Sequence, residues 1–389
     1  MQHFKTFAIK VLQISLLLLL FGCGFSNKET NRNLIEVDLN ERIDVSIFDI
    51  FERIEIIKLE TTDNSLFRYV NKVVCFNNVF YIHDYVEKTI LSFDSAGKFL
   101  NKIDNRGQGP EEYIHISDFD LDKQENKLLV LDPVSNSLLE YDLTGQFLYK
   151  IKLPTIVGAY NKIKCLNDNI ITFWTYDDDN RLKLYDKKNN QIFREYFPKK
   201  EKSLFDHFPV IAFPYNNYVA TESVTDNNIY EISADGKLSI AYTWDFGKLN
   251  NNVDIVKNLP KRDLGRDIEA RKEISNMMFN SEIVNYFFSK NGGNNTYRYA
   301  KLIRKGKNID LWYKMSEKKT LVFETTKEGS QFEPLYWEDN FVIGLGPFGG
   351  SVEMDRTIPD AILDEENLKK KKQIMEDDNP VLIKYYFKK

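Results

Sequence analysis

Five side chains in one short stretch, Arg106, Gln108, Glu111, Glu112 and Tyr113, place a cation, an amide, two carboxylates and a ring on a loop that contains Gly107 and Gly109. Such a set could hold a polar ligand. It could equally be structural, with the glycines permitting a tight turn, Pro110 ending it and Arg106 pairing with a nearby carboxylate, and that reading is the simpler one. The glycine spacing does not make a phosphate loop, because neither a following helix nor a Lys-Ser/Thr ending is present.

Other reactive residues are sparse. The chain has four histidines among 389 residues, and no HxH, HExxH or Cys-His spacing joins His83, His115 and His207, so a zinc site has no support. Asp118, Asp120, Asn167 and Asn169 carry the oxygen ligands that calcium takes, but polar turn residues account for them more simply. No cofactor is therefore expected, with calcium the only one for which residues can be named. The run Asp177-Asp178-Asp179 reads as a hairpin tip. No Gly-x-Ser-x-Gly elbow occurs, so no catalytic residue is assigned.

The first residues are an address. Lys5 and Lys10 precede an apolar run from Val11 to Phe21, which at about 11 residues is shorter than the ~20 needed to cross a bilayer. Leu20-Phe21-Gly22-Cys23 resembles a lipobox, in which the Cys thiol is acylated and becomes the new N-terminus. The resemblance implies a signal peptide over 1–22, lipidated Cys23 with a tether over 23–34, and anchoring in the outer membrane with either face open. A plain secreted protein or an uncleaved anchor are the alternatives. Removing 22 residues that carry two lysines and no acid leaves 367 residues with 51 basic and 58 acidic side chains, net −7. That balance favours no nucleic acid partner. Cys75 and Cys165 occupy the same place in a repeat, two units apart, so they are expected to be free, buried thiols.

The repeat organises everything after the tether. Taking Phe76, Leu121, Leu166 and Phe213 as equivalent, the spacings are 45, 45 and 47 residues. Each anchor closes an apolar strand and is followed by a polar turn, a second apolar run, a third strand, a tight turn such as Asp94-Ser95-Ala96-Gly97 or Asp142-Leu143-Thr144-Gly145, and a fourth strand. Four antiparallel strands per unit make a propeller blade. Phe279 and Trp337 read as the fifth and sixth anchors, with intervals of 66 and 58 that imply two insertions, one of them helical over about 248–278. Ile54 to Leu59 and Val381 to Phe387 are left over, and pairing them in the last blade would close the ring. The fold expected is all-β, a six-bladed propeller of four-stranded antiparallel blades over 35–389.

With the stretches Phe93 to Leu100, Arg106 to Tyr113 and Tyr141 to Leu148 in view, the chain resembles the six-bladed β-propeller lipoproteins of Gram-negative bacteria, relatives of NHL-repeat propellers. The resemblance covers roughly residues 35–389, is most specific at Arg106 to Tyr113, and implies fold and address but no assigned activity. The function expected is that of a lipid-anchored, monomeric binding module that meets an envelope protein or a glycan through the face carrying the links between blades. The alternative is a propeller hydrolase or lyase acting on glycans or esters, calcium-dependent in some such propellers, with its site in the central channel. Tyr113, Trp174 and Trp337 could stack on sugars but read first as blade core. Two further segments stay open. Val253 to Phe279 could form a helical lid over the channel or pack on its rim, and Lys369 to Lys372 on Ala361 to Met375 reads as a solvated face.

Overall fold

The computed structural model describes residues 33–176, 178–198, 218–220, 226–250, 268–284, 287–346 and 357–388. Contacts group Ile35–Lys389 as one unit, and of the other, Met1–Leu34, only the last two residues are described. Six four-stranded sheets are present. The chain first forms β1 (Leu34–Glu36), the short helix α1 (Ile47–Ile50) and β2 (Phe51–Ile57). Blade 1 is β3 (Val70–Phe76), β4 (Val79–Asp84), β5 (Thr89–Asp94) and β6 (Phe99–Ile103), and blade 2 is β7 (Asp118–Asp122), β8 (Lys127–Asp132), β9 (Ser137–Asp142) and β10 (Phe147–Lys152). Blade 3 follows with β11 (Ala159–Cys165), β12 (Ile170–Tyr176), β13 (Asn180–Asp186) and β14 (Gln191–Pro198). Blade 4 holds β15 (Tyr218–Ala220), β16 (Asn228–Ile232) and β17 (Leu238–Asp245), with β1 along the outer side of β17. After α2 (Ile268–Phe279), blade 5 is β18 (Phe287–Gly293), β19 (Tyr297–Arg304), β20 (Lys307–Lys314) and β21 (Lys319–Phe323). Blade 6 is β22 (Pro334–Trp337), β23 (Phe341–Leu345) and β24 (Leu382–Phe387), with α3 (Glu365–Lys372) between the last two and β2 as its outermost strand.

The strand sequences follow from where each strand sits. Second strands are covered on both faces by neighbouring blades, so β8 reads Lys-Leu-Leu-Val-Leu-Asp with every residue after Lys127 buried. Outer strands have one wet face, and β14 alternates exposed and half-buried side chains. The tight turns explain their motif. Asp94 Oδ1 accepts from the backbone N–H of Ala96 and Lys98, both at 2.9 Å, and Asp142 does the same for Thr144 and Gln146. The glycines that end these turns have φ of +85° at both Gly97 and Gly145, and each is pressed against the preceding blade. A Cβ on Gly97 would stand 2.1 Å from the carbonyl oxygen of Lys58, and one on Gly145 would stand 2.2 Å from the Asn101 amide nitrogen.

Closure takes the expected form. β2 pairs antiparallel with β24, Ile54 opposite Tyr385 and Ile57 opposite Leu382. Phe51 brings its ring within 5.5 Å of Trp312, 5.1 Å of Tyr385 and 5.3 Å of Phe387, so the closing strands meet inside the aromatic core between blades 5 and 6. Burying rings of this size contributes on the order of 2 kcal/mol each.

Three expectations need correction. Phe279 does not end a blade strand; it ends α2, and the residue equivalent to the other anchors is Gly293, which closes β18 44 residues before Trp337. An apolar residue followed by a polar turn is what a helix end looks like as well, and that is what the pattern matched. The long interval therefore lies between blades 4 and 5, and the other long connection lies inside blade 6, between β23 and β24. Leu34 to Glu36, assigned to the tether boundary, forms a strand on blade 4. Lys371 is buried within the lysine run, donating to the Ile358 carbonyl at 2.8 Å and to Asp360 at 2.7 Å. The expected fourth anchor, Phe213, lies outside the described residues, as does most of the connection before α2.

Gly97→Ala is expected to cost about 3 kcal/mol, because a backbone carbonyl blocks the new methyl in addition to the ~1–2 kcal/mol of left-handed backbone strain. Gly145→Ala meets a side chain that can move and should cost about half as much. Urea unfolding of both variants measures the difference, and equal losses would show that the inter-blade carbonyl contact is not rigid.

Candidate functional site

Strand direction decides which residues can share a site. In every blade the first strand runs away from the face that receives the link from the previous blade, and the second strand returns to it. Links between blades and turns between second and third strands therefore emerge on one face. Two buried aspartates tie these segments together. Asp84, at the end of β4, accepts from the N–H of Arg68 and Tyr69 in the incoming link and of Val86 and Glu87 in the turn. Asp132, at the end of β8, repeats the device with Ile114, Val134 and Ser135.

Apolar side chains crowd this face on blades 1 to 3. Tyr69 and Leu66 are exposed on the link into blade 1, and Tyr85 and Val86 on its turn. Ile114 and Val134 follow on blade 2, joined through Asp132, and Val157 on the link into blade 3 is 83% exposed. Tyr85 reaches the next blade, its ring 5.8 Å from His115.

Beneath this rim the inner strands bring polar groups together. Both β3 and β11 carry a β-bulge, and the extra residue is Asn71 in one and Asn161 in the other, each followed by lysine. Bulges of this kind re-aim side chains at the rims of closed sheets. The Asn71 amide nitrogen can only donate, so its 3.1 Å contact makes His83 Nδ1 the acceptor and places the ring proton on Nε2. His83 is fully buried and packs against the Phe119 ring at 6.3 Å. Burial pushes its pKa down to about 3, against the pull of Asp118, with Lys162 and Lys72 adding to the fall. Asp118 Oδ2 accepts from the Ile163 N–H at 3.0 Å and from Lys72 at 3.3 Å, and Lys72 also reaches the carbonyl of Phe119 at 2.5 Å. Three buried polar atoms on these adjoining strands, His83 Nε2, Asp118 Oδ1 and Asn161 Nδ2, have no hydrogen-bond partner among the described residues.

Further along the channel Asp120 binds the Cys165 N–H at 2.8 Å and the Lys164 ammonium at 3.1 Å. Burial alone would raise its pKa, but Lys164 and Lys72 hold it below the ordinary carboxylate range. At the other end, Tyr336 on β22 donates to the Cys75 carbonyl at 2.9 Å and also bonds Glu338. Lys123 on blade 2 approaches the same tyrosine oxygen at 3.3 Å, so blades 6, 1 and 2 meet there.

The residues named from sequence fall in several places. Tyr113 is fully buried, its hydroxyl donating to the carbonyls of Lys88 at 2.8 Å and Ile103 at 3.3 Å. Arg106 is exposed and pairs with Asp104 at 2.7 Å, and Arg106 and Tyr113 form a parallel bridge across the loop. Glu112 accepts from the Gly109 N–H at 2.7 Å, which folds the loop on itself. Gln108 and Glu111 are exposed on the same loop. The loop thus lies on the link face but does not contribute a charged group to the polar corner. Asn167 and Asn169 accept backbone N–H bonds within or beside their turn. Trp174 and Trp337 are core. Cys75 and Cys165 are free, and burial pushes their thiols up to about 11 and about 12. Asp178 bonds Lys183 at 3.1 Å, and Asp177 and Cys23 lie outside the described residues. The end of α2 is tied to blade 5, where Gly306 N–H donates to the Phe279 carbonyl at 2.8 Å.

Sequence reasoning passed over Asn71, Asn161 and Lys162, and it weighed His83 only as a zinc ligand. One signal was available: Val70-Asn71-Lys72-Val73 recurs as Tyr160-Asn161-Lys162-Ile163, 90 residues later and in phase with the repeat.

The buried histidine makes stability depend on pH. Its folded pKa of about 3 lies below the ordinary 6.5, so between those values the unfolded chain binds a proton that the native state refuses. Stability then falls as pH falls, by up to ~1.4 kcal/mol per unit. Asp120 acts in a lower window, its contribution being present above 3.8 and lost below it. Between pH 7 and pH 5 the wild-type chain should lose roughly 2 kcal/mol more than His83→Gln in chemical denaturation. Parallel losses would mean that His83 is protonated in the native state.

No curated protein matches the chain. Among solved structures, a Bacteroides fragilis protein designated as exported superposes with a TM-score of 0.73 at 18% identity, over 92% of this chain and 100% of that one, which shows a shared fold. A DUF4221 family member from Bacteroides vulgatus aligns with a TM-score of 0.48 at 12% identity over 90% and 99% of the two chains. A virginiamycin B lyase from Staphylococcus aureus aligns at 0.41 and 12% over 70% and 74%. A family model described as a domain of unknown function, DUF4934, matches residues 33–386, and the chain belongs to that family.

Proposed function

We propose that this chain is an exported, lipid-anchored binding protein of the NHL-like propeller kind, monomeric, whose recognition surface is the link face of blades 1 to 3. One observation carries the reading: the exposed apolar side chains on the links and turns of three consecutive blades adjoin a buried polar corner with unused hydrogen-bonding capacity. Soluble proteins seldom leave such a concentration uncovered without an interaction to use it, and loops on a rigid scaffold are where binding residues gather. The partner is an envelope protein or a glycan. Export and anchoring rest on the stretch from Lys5 to Cys23 and on the exported designation of the Bacteroides fragilis protein. Binding is favoured over calcium-dependent hydrolysis because Asp118 and Asp120, the carboxylates such a site would use, are engaged by Lys72 and Lys164.

The test is affinity capture from envelope extracts with the soluble form beginning at Asn27, beside Tyr69→Ser/Val134→Ser, which removes rim surface and leaves the core intact. A partner or glycan recovered by the wild type and reduced at least tenfold with the variant is expected. Equal recovery by both would place recognition elsewhere. For the anchor, radiolabelled palmitate should enter the full-length protein and not Cys23→Ser; incorporation by both would overturn lipidation at that residue.

A further inference from the structure

The chemistry of the polar corner names a ligand class, and this inference rests on the reading that the link face of blades 1 to 3 binds. Inner strands of three blades meet there through contacts that fix each group. Asn71 holds the His83 ring from one side at 3.1 Å, which leaves Nε2–H as a donor. The Ile163 N–H and the Lys72 ammonium occupy Oδ2 of Asp118, which leaves Oδ1 as an acceptor. Asn161, the bulged residue two positions before Ile163, presents Nδ2 as a second donor. Lys162, next in the chain, acts electrostatically on His83 and forms no ion pair among the described residues.

Burying such atoms without partners costs about 1–3 kcal/mol each, so adjoining strands of three blades that keep three of them are built to receive something polar. The required partner must accept from two N–H groups and donate to a carboxylate oxygen. A hydroxyl does both through a single oxygen, and neighbouring hydroxyls on one ring do so with fixed spacing. A carboxylate ligand could not donate to Asp118, and an ammonium could not accept from His83 or Asn161. The rim adds a second requirement. Tyr85, half exposed, stands with its ring 6.4 Å from His83 and 5.8 Å from His115, and its backbone N–H binds the carbonyl of Tyr69, which joins the backbones of these two exposed tyrosines at the rim. Aromatic rings beside a hydroxyl-reading corner match a molecule with an apolar C–H face and polar edges.

We propose that the mouth of the channel between blades 1 and 3 binds a saccharide, with ring hydroxyls satisfying His83 Nε2, Asn161 Nδ2 and Asp118 Oδ1 and with Tyr69 and Tyr85 packing on its C–H face. Because Tyr85 covers His83, its side chain turns aside as the sugar enters.

The test begins with the soluble form from Asn27 on an array of immobilised mono- and oligosaccharides, followed by calorimetry with the saccharide bound best. Asn161→Leu keeps the bulged residue's size but removes the donor and is expected to weaken binding at least tenfold. Tyr69→Ala, on the exposed rim, should weaken it about fivefold. A deoxy analogue lacking the hydroxyl read by the corner should bind the wild type as weakly as the parent sugar binds Asn161→Leu. If Asn161→Leu does not fold, as judged by its thermal transition, the deoxy analogue and Tyr69→Ala decide the matter alone. Saccharide binding indifferent to the rim and the analogue overturns the site. Absence of any saccharide binding overturns the ligand class, and in that case capture of an envelope protein sensitive to Tyr69→Ser/Val134→Ser would leave the binding-face reading standing. Retention of an ordered water in the corner of a crystal soaked with the saccharide likewise overturns the proposal.

Discussion

A ring of blades has no finished core until it closes. Each blade buries one face against the blade before it and one against the blade after it, so a linear array of six would leave two faces and two strand edges open. In this chain closure depends on β2 pairing with β24, one strand from each terminus, and on Phe51 entering the ring cluster of Trp312, Phe332, Tyr385 and Phe387. The segment before β2 reinforces the same seam. Arg304 donates to Asn40, Ile43 donates to the Val322 carbonyl, and Lys327 donates to the carbonyl of Val45, so the N-terminal segment is fastened along blade 5 between its strands in blades 4 and 6. A structure held by contacts between residues more than 300 positions apart must bring its ends together before most of its burial is realised.

The channel shows the same economy of long-range contacts at the centre. Lys72, Asp118, Asp120 and Lys164 come from three inner strands and neutralise one another where water is scarce. Paired charges of this kind add little net stability, but removal of one partner leaves the other uncompensated, so they fix which blades may sit side by side. That arrangement explains why Asp118 and Asp120 are not turn residues, although their sequence context suggested it. Beside these pairs, His83 Nε2, Asp118 Oδ1 and Asn161 Nδ2 stay without a hydrogen-bond partner among the described residues.

Legibility in the sequence tracked locality. The turns Asp94 to Gly97 and Asp142 to Gly145 were readable because each motif makes its own hydrogen bonds within five residues. The closing strands were readable because two apolar runs had no place in the repeat. Blade 5 was misplaced because the end of α2 at Phe279 imitates the end of a strand. β1 escaped notice because three residues carry too little pattern. The loop from Arg106 to Tyr113 drew attention by composition, yet its tyrosine and Glu112 serve the loop's own fold. Asn71 and Asn161 drew none, since an asparagine in a strand looks ordinary until a bulge turns it, and His83 was weighed only for metal spacing.

By itself the sequence determined the repeat, the strand order within most blades, the closure by both termini and the signal-like N-terminal stretch, because these follow from apolar periodicity and turn chemistry over fewer than ten residues at a time. Only the tertiary structure decided which polar groups face one another across the channel and which apolar residues share one exposed face. Those relations depend on strand direction, on bulges that shift side chains by one position, and on the packing of three blades, none of which is encoded by the spacing of residues along the chain.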